Sequence, residues 1–235
     1  MIGPARRIVA GAVVLATVAL FLGLGVWQVE RRAWKLDLIA RVEARLAAEP
    51  VPAPGPEAWS RLDRATDEYL RVEATGRFLH EAETAVLAVT ERGRGYWILT
   101  PLATRDATIL VNRGFVPPEN RDPATRPDGQ PPGEVHVAGL LRLTEPRGGF
   151  LRDNDPAADR WFSRDVAAIA AARGVRGAAP YFIDADGTPN PGGLPVGGLT
   201  VVRFRNTHLS YALTWFALAG GLAVLTIRAL RRHAD

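Results

Sequence analysis

Cysteine is absent from this chain, methionine is confined to Met1 and lysine to Lys35. The lack of cysteine excludes disulfides, thiolate metal sites and covalent attachment of a c-type haem. Without cysteine, and with one methionine at position 1, copper handling is not indicated, because soft Cu(I) prefers thiolate or thioether donors. The scarcity of lysine means that arginine carries almost all of the positive charge, for a net +4 over 235 residues. Those arginines are dispersed and form no run or stripe of the kind that binds nucleic acid. Also missing are a glycine-rich phosphate loop, a nucleophile elbow and a pair of histidines at helical metal spacing. An independent enzyme is therefore not indicated: a hydrolase needs a nucleophile with a base, and neither has an identifiable partner. Histidine occurs four times, at His80, His136, His208 and His233.

What is abundant is apolar sequence, and it is unevenly placed. One run covers residues 8–27 and another 209–227, both free of charge. Each is roughly 20 residues, the length that crosses a hydrocarbon core of about 30 Å. The first exceeds the roughly 7–15 apolar residues of a secretory signal and ends at Trp27, an interfacial anchor type, so an uncleaved span is expected. Two spans put residues 1–7 and 228–235 on one side of a membrane and residues 28–208 on the other. Arg6, Arg7, Arg228, Arg231 and Arg232 mark the tails, while Arg31, Arg32, Lys35, Arg203 and Arg205 lie on the domain side. Long domains translocate largely regardless of charge, so the short tails count for more and favour the cytoplasm. Ala217 and Gly221 offer a small-xxx-small face, either for packing the spans together or for docking a partner.

Between the spans the periodicity changes twice. Trp34, Leu38, Val42 and Leu46 recur at four-residue steps beside Ile39, which predicts an amphipathic helical extension over about 28–49. The segment "PVPAPGPEAW" ends it, since proline removes a donor and restricts its predecessor. From Tyr69 the period becomes two, with strands expected in "YLRVEATGRF", in "TAVLAVTERGRGYWILTPL" (two, around "ERGRG"), and in "ATILVNRGFVP", "GEVHVAGLLRL", "PYFIDADG" and "GLTVVRFRN". In the third of these segments Ile109 and Val111 share a face. One internal helix, "SRDVAAIAAARG", has Ser163 as its expected N-cap and Gly174 as its stop. "DADG" reads as a tight turn rather than a calcium loop, whose later acidic ligands are missing. The fold class expected is an α+β membrane protein: a two-helix transmembrane hairpin flanking an antiparallel β-rich extramembrane domain, with a partly closed barrel as one arrangement.

Five segments then occur in a recognisable order: "GVWQVERRAWK", "GYWILTPL", "VNRGFVP", "VAGLLRLTE" and "NTHLSYALTWFALA". In this order, and with this two-span layout, the chain resembles the SURF1 family of assembly factors for haem-copper cytochrome oxidases, from Gly25 through Ala219. Phe115 departs from the pattern, standing where the family usually has tryptophan; both are bulky aromatics. The resemblance implies a multi-pass protein of the bacterial inner membrane with its domain in the periplasm, or of the mitochondrial inner membrane. It further implies no catalytic turnover, association with haem a, and the large oxidase subunit and a haem a synthase as partners.

The residue chemistry offers one place for such a cargo. Haem iron takes imidazole as an axial ligand, and His208 stands where the second span begins. The positive end of that helix, with Arg203 and Arg205, suits haem propionates. Tyr211, Trp215 and the first helix offer the macrocycle an apolar wall. Trp27, Gln28 and Arg31 are further candidate contacts, although Trp27 and Trp34 suit interfacial anchoring, Gln28 an interfacial role ahead of a bond to the other helix or to haem, and Arg31 with Lys35 lipid headgroups. The competing reading is a haem-independent membrane scaffold for an oxidase intermediate, with Asn206 or Thr207 capping the helix and His208 a neighbour. His80 and His136 lack companions for a metal site, and His233 belongs to the tail.

Overall fold

The structure, a computed structural model, describes residues 4–149, 152–200, 202, 204 and 206–232. It comprises two compact units: a helical one formed by residues 1–43 and 202–235, and a β-rich one formed by residues 44–201. In the helical unit α1 (Pro4–Ala47) is a single helix of 44 residues. At 1.5 Å per residue it is roughly 66 Å long, about twice a hydrocarbon core, so only part of it can lie in lipid. Its partner α3 (His208–Arg231) has 24 residues. Both helices are long and apolar enough to cross a membrane, with mean hydropathies of 2.5 and 1.7.

The two helices meet along narrow stripes. On α1 the covered positions include Phe21, Gly25 and Gln28, and on α3 they include Ala212, Trp215 and Ala219. Spacings of three, four and seven keep each stripe on one helical face. Gly25 provides a notch: a Cβ at this position would collide with the Phe216 ring. Trp215 packs on Phe21 with ring centroids 5.5 Å apart. Ala217 and Gly221, by contrast, are exposed, so the inter-span contact uses Ala212 and Ala219 and leaves the small-xxx-small face outside it. Large apolar side chains such as Leu15, Leu20, Leu213 and Leu225 remain bare all around the hairpin, which suits a lipid environment.

The β-rich unit contains β1 (Val51–Pro52), β2 (Arg71–Phe78), β3 (Thr84–Thr90), β4 (Gly93–Ala103), β5 (Thr108–Val116), β6 (Glu134–Leu143) and β7 (Ala178–Ala185). Five of them run β2-β6-β7-β5-β4 and close on themselves through Arg77↔Ala103 and Phe78↔Leu102. β4 can close the barrel because its 11 residues serve two neighbours on one edge, β3 along its first half and β2 at its end. The barrel is thus closed where sequence suggested partial closure, and β5 pairs with β7 in parallel rather than antiparallel. The expected strand "GLTVVRFRN" has no strand among its described residues, while Val201, Arg203 and Arg205 lie outside them.

Alternation along the strands separates two cores. Ile109, Val111, Tyr181 and Ile183 point into the barrel with Val72, Leu102 and Leu141. Leu110 and Phe182, one residue out of phase, pack outside against Val86, Trp161 and Ile169. The cover for that outer face is α2 (Val166–Ala172). Its N-cap is Asp165, whose side chain accepts from Ala168 N at 3.1 Å, two residues later than the serine expected. Ser163 is instead used to accept from Gly148 N at 2.9 Å. Gly174 ends the helix in the left-handed conformation at φ 65°, and Val175 N donates back to Ala170 O.

"VNRG" proves to be a structural junction. Asn112 donates to Asp184 at 2.7 Å, Arg113 donates to Gly129 O and to Asn190 Oδ1, and Gly114 at φ 129° lets the backbone of Val196 approach too closely for a side chain. Burial pushes the Arg113 guanidinium down to about 10, with Glu83 partly offsetting and Arg126 reinforcing the shift.

Candidate functional site

The first turn of α3 is set by what precedes it. Asn206 Oδ1 accepts from His208 N at 3.4 Å, while Thr207 occupies the N-cap position without a side-chain bond of its own. Ser210 Oγ donates to Thr207 O at 2.7 Å. His208 is thereby the first helical residue, half-buried, with its ring directed at α1.

There it meets Gln28. The Nδ1 of His208 lies 2.7 Å from Gln28 Oε1, a short hydrogen bond between the two helices of the hairpin. Gln28 is 9% exposed, in a stripe that is otherwise apolar. An amide left without a partner in such a place costs about 1–3 kcal/mol, so this pair locks the register of α1 against α3. The other ring nitrogen, Nε2, has no hydrogen bond among the described residues. A histidine held by one nitrogen and free at the other is the arrangement that metal-ligating imidazoles take. The residues present therefore fit an axial donor to iron.

The remaining candidates divide. Trp215 shares the inter-helix stripe with His208 and stacks on Phe21. Trp27 and Tyr211 are about half exposed, at 53% and 55%, and flank the stripe from the outside. Such half-exposed aromatics beside the stripe serve equally for interfacial anchoring and for covering a flat ligand. Arg31 is exposed and holds its guanidinium 4.0 Å from the Trp34 ring centroid, and Lys35 stands 5.0 Å from that of Phe204. Both cations are thus kept at the helix surface, available to headgroups or carboxylates. Arg203, Arg205 and His233 lie outside the described residues. Among the described residues no group of three or more His, Asp or Glu side chains is placed to hold a bare metal ion.

In the β-rich unit the strongest electrostatic feature is a buried ionic cluster that sequence reasoning did not reach. Asp184, read from sequence as part of a turn, lies near the end of β7 on the same face as Phe182, outside the barrel interior. It accepts from Asn112 at 2.7 Å, from Arg142 at 2.8 Å, from Arg164 at 3.0 Å and from Thr200 at 3.0 Å. Arg142 also donates to Glu68 at 2.8 Å, and Arg164 to Glu145 at 2.5 Å. Burial opposes the Arg142 charge, but Asp184 and Glu68 outweigh it and raise that guanidinium above its ordinary value. Phe182 lies beneath both guanidinium groups. The signal that could have found this cluster is the presence of Asn112 and Arg142 inside otherwise apolar strands. Its satisfied hydrogen bonds and lack of free ligand positions make it a structural device. His80 and His136 stand apart, bonded to Pro131 O and Thr75 Oγ1.

The chain matches the SURF1 family over residues 15–220. It is 41% identical to Surfeit locus protein 1 of Mus musculus over 86% of this chain and 70% of that protein. The human Surfeit locus protein 1 is 40% identical over 89% and 74%, and the SURF1-like protein of Drosophila melanogaster 38% identical over 88% and 72%. The match takes in most of both helices and the entire barrel, and on that ground the chain belongs to the SURF1 family.

Proposed function

We propose that this protein is a membrane-anchored assembly factor for a haem-copper cytochrome oxidase, which receives haem a as cargo at His208 and gives it to the large catalytic subunit. Membership of the SURF1 family supports the oxidase as client. The observation that carries the haem reading is the His208 imidazole itself, fixed at Nδ1 by Gln28 and with no hydrogen bond at Nε2 among the described residues. In this reading Nε2 is an axial donor to the iron. Trp27, Tyr211 and Trp215 supply apolar surface for the macrocycle, and Arg31, Arg203 and Arg205 supply cations for the propionates. No covalent bond in the cargo is made or broken, and the protein is no enzyme: delivery follows relative affinity, so the hold on haem must be weaker than that of the oxidase subunit.

The partners are then a haem a synthase as source, the oxidase subunit as acceptor, and membrane lipid around both spans. The tails lie in the cytoplasm and the barrel in the periplasm, or in the corresponding compartments around a mitochondrial inner membrane. No copper and no nucleic acid take part. The test is performed in cells lacking the protein, by measuring haem a per oxidase after restoring wild type or His208→Ala at equal abundance. Wild type restores full occupancy and the variant does not. Equal restoration by both would leave a scaffold that never ligates iron.

A further inference from the structure

Gln28 is the buried polar side chain of α1 inside an apolar inter-helix stripe, and its amide oxygen faces one particular atom of His208. That oxygen is an acceptor and nothing else. A 2.7 Å contact with Nδ1 therefore requires Nδ1 to carry the proton and to donate. In a neutral imidazole the proton sits on one nitrogen only, so the lone pair must then reside on Nε2. Free neutral histidine favours the opposite form, with its proton on Nε2, which cannot ligate iron through that atom.

We propose that Gln28 is a positioning residue that selects the Nδ1–H tautomer of His208 and fixes the ring so that Nε2 is its ligating atom. The inference rests on the haem reading above for its purpose, but the tautomer is a property of the protein without cargo. Three features of the hairpin support it. The bond joins residues 180 positions apart, so it exists only once α1 and α3 have packed. Gly25, one turn before Gln28, admits the Phe216 ring and lets the helices come close enough for the short bond. Trp215 on Phe21 fixes the two helices a further turn into the hairpin, so the amide and the ring are held from one side by packing and from the other by the first turn of α3. An acceptor on a rigid helix that orients the non-ligating nitrogen is what tunes the basicity and direction of a metal-bound histidine elsewhere.

The experiment uses the full chain in detergent with its histidines labelled with nitrogen-15, at about pH 8, where an ordinary imidazole is neutral. The signals of His208 are identified by their disappearance in His208→Ala. In the wild type, Nδ1 gives the resonance of a protonated nitrogen and Nε2 that of a bare one. Gln28→Leu, close in size but without an acceptor, shifts the ring toward the Nε2–H form. Gln28→Glu keeps an acceptor at the same reach and preserves the wild-type pattern, which separates orientation from mere filling of space. Titration of the same four proteins with haem then shows affinity reduced about ten- to a hundredfold in Gln28→Leu, largely retained in Gln28→Glu and lost in His208→Ala. A proton found on Nε2 in the wild type, or a tautomer unaltered by Gln28→Leu, would overturn the assignment. If the tautomers behave as stated but wild type and His208→Ala bind haem alike, the assignment stands and the haem reading of His208 falls.

Discussion

Asp184 is 2% exposed and accepts hydrogen bonds from four side chains, two of them arginines. Removing one member of such a group leaves the others charged and without a partner in a medium that solvates them poorly. Asp184→Ala should therefore lower stability by about 3–5 kcal/mol, read as an earlier unfolding midpoint of the full chain in detergent by tryptophan fluorescence. A midpoint unchanged by the substitution would mean that water reaches Arg142 and Arg164 after all. His208 and Gln28 form the opposite kind of pair, small in energy and specific in direction. The sequence made His208 conspicuous, as a rare histidine at the mouth of a span, but Gln28 read first as an interfacial polar residue, with a bond to the other helix or to haem as alternatives and no partner named. Their pairing across 180 residues has no local signature, because helix periodicity says which residues share a face and not which opposing residue they meet.

At the scale of elements, both spans, the extended first helix, α2 and most strands are legible from period and punctuation. Proline-rich 50–56 ends α1, and period two marks β2 through β7. What stayed hidden depends on partners distant in sequence. Closure by β2 on β4 involves two residue pairs at strand ends, and the parallel pairing of β5 with β7 depends on the segment that crosses between them. The cap of α2 shifted from Ser163 to Asp165 because Ser163 is recruited to accept from Gly148 and Asn154, a tertiary demand that overrides local preference. The hairpin itself hinges on close approach at Gly25. Gly25→Val should displace the Phe216 ring and separate α1 from α3 near Gln28. Cysteines placed at Phe21 and Trp215, in a chain that has none, would then crosslink less efficiently through a short bifunctional reagent. Adding Phe216→Ala should restore much of the yield, and failure of both effects would show that the helices tolerate a side chain there.

At the scale of the whole molecule, the proposed topology of two spans and one intervening domain places both tails in one compartment. With reporters fused at the C-terminus, a cytoplasm-active reporter should work and an export-dependent one should fail, while protease added from outside opened cells should reach the barrel. The reverse pattern would invert the orientation drawn from the arginine tails. Folding also separates two duties: the barrel stabilises itself through apolar cores and the Asp184 cluster, and the helical hairpin carries the only histidine whose surroundings fit iron among the described residues. His208→Ala should accordingly leave the barrel intact. The measurement that bears most directly on the proposed role is the absorption spectrum of the purified full chain after co-production with haem a synthesis, wild type beside His208→Ala. We expect a bound haem a spectrum in the wild type and its loss in the variant, with equal yield and an equal unfolding midpoint. An identical haem spectrum in both proteins, or no haem in the wild type, would contradict the assignment of His208 as the haem ligand.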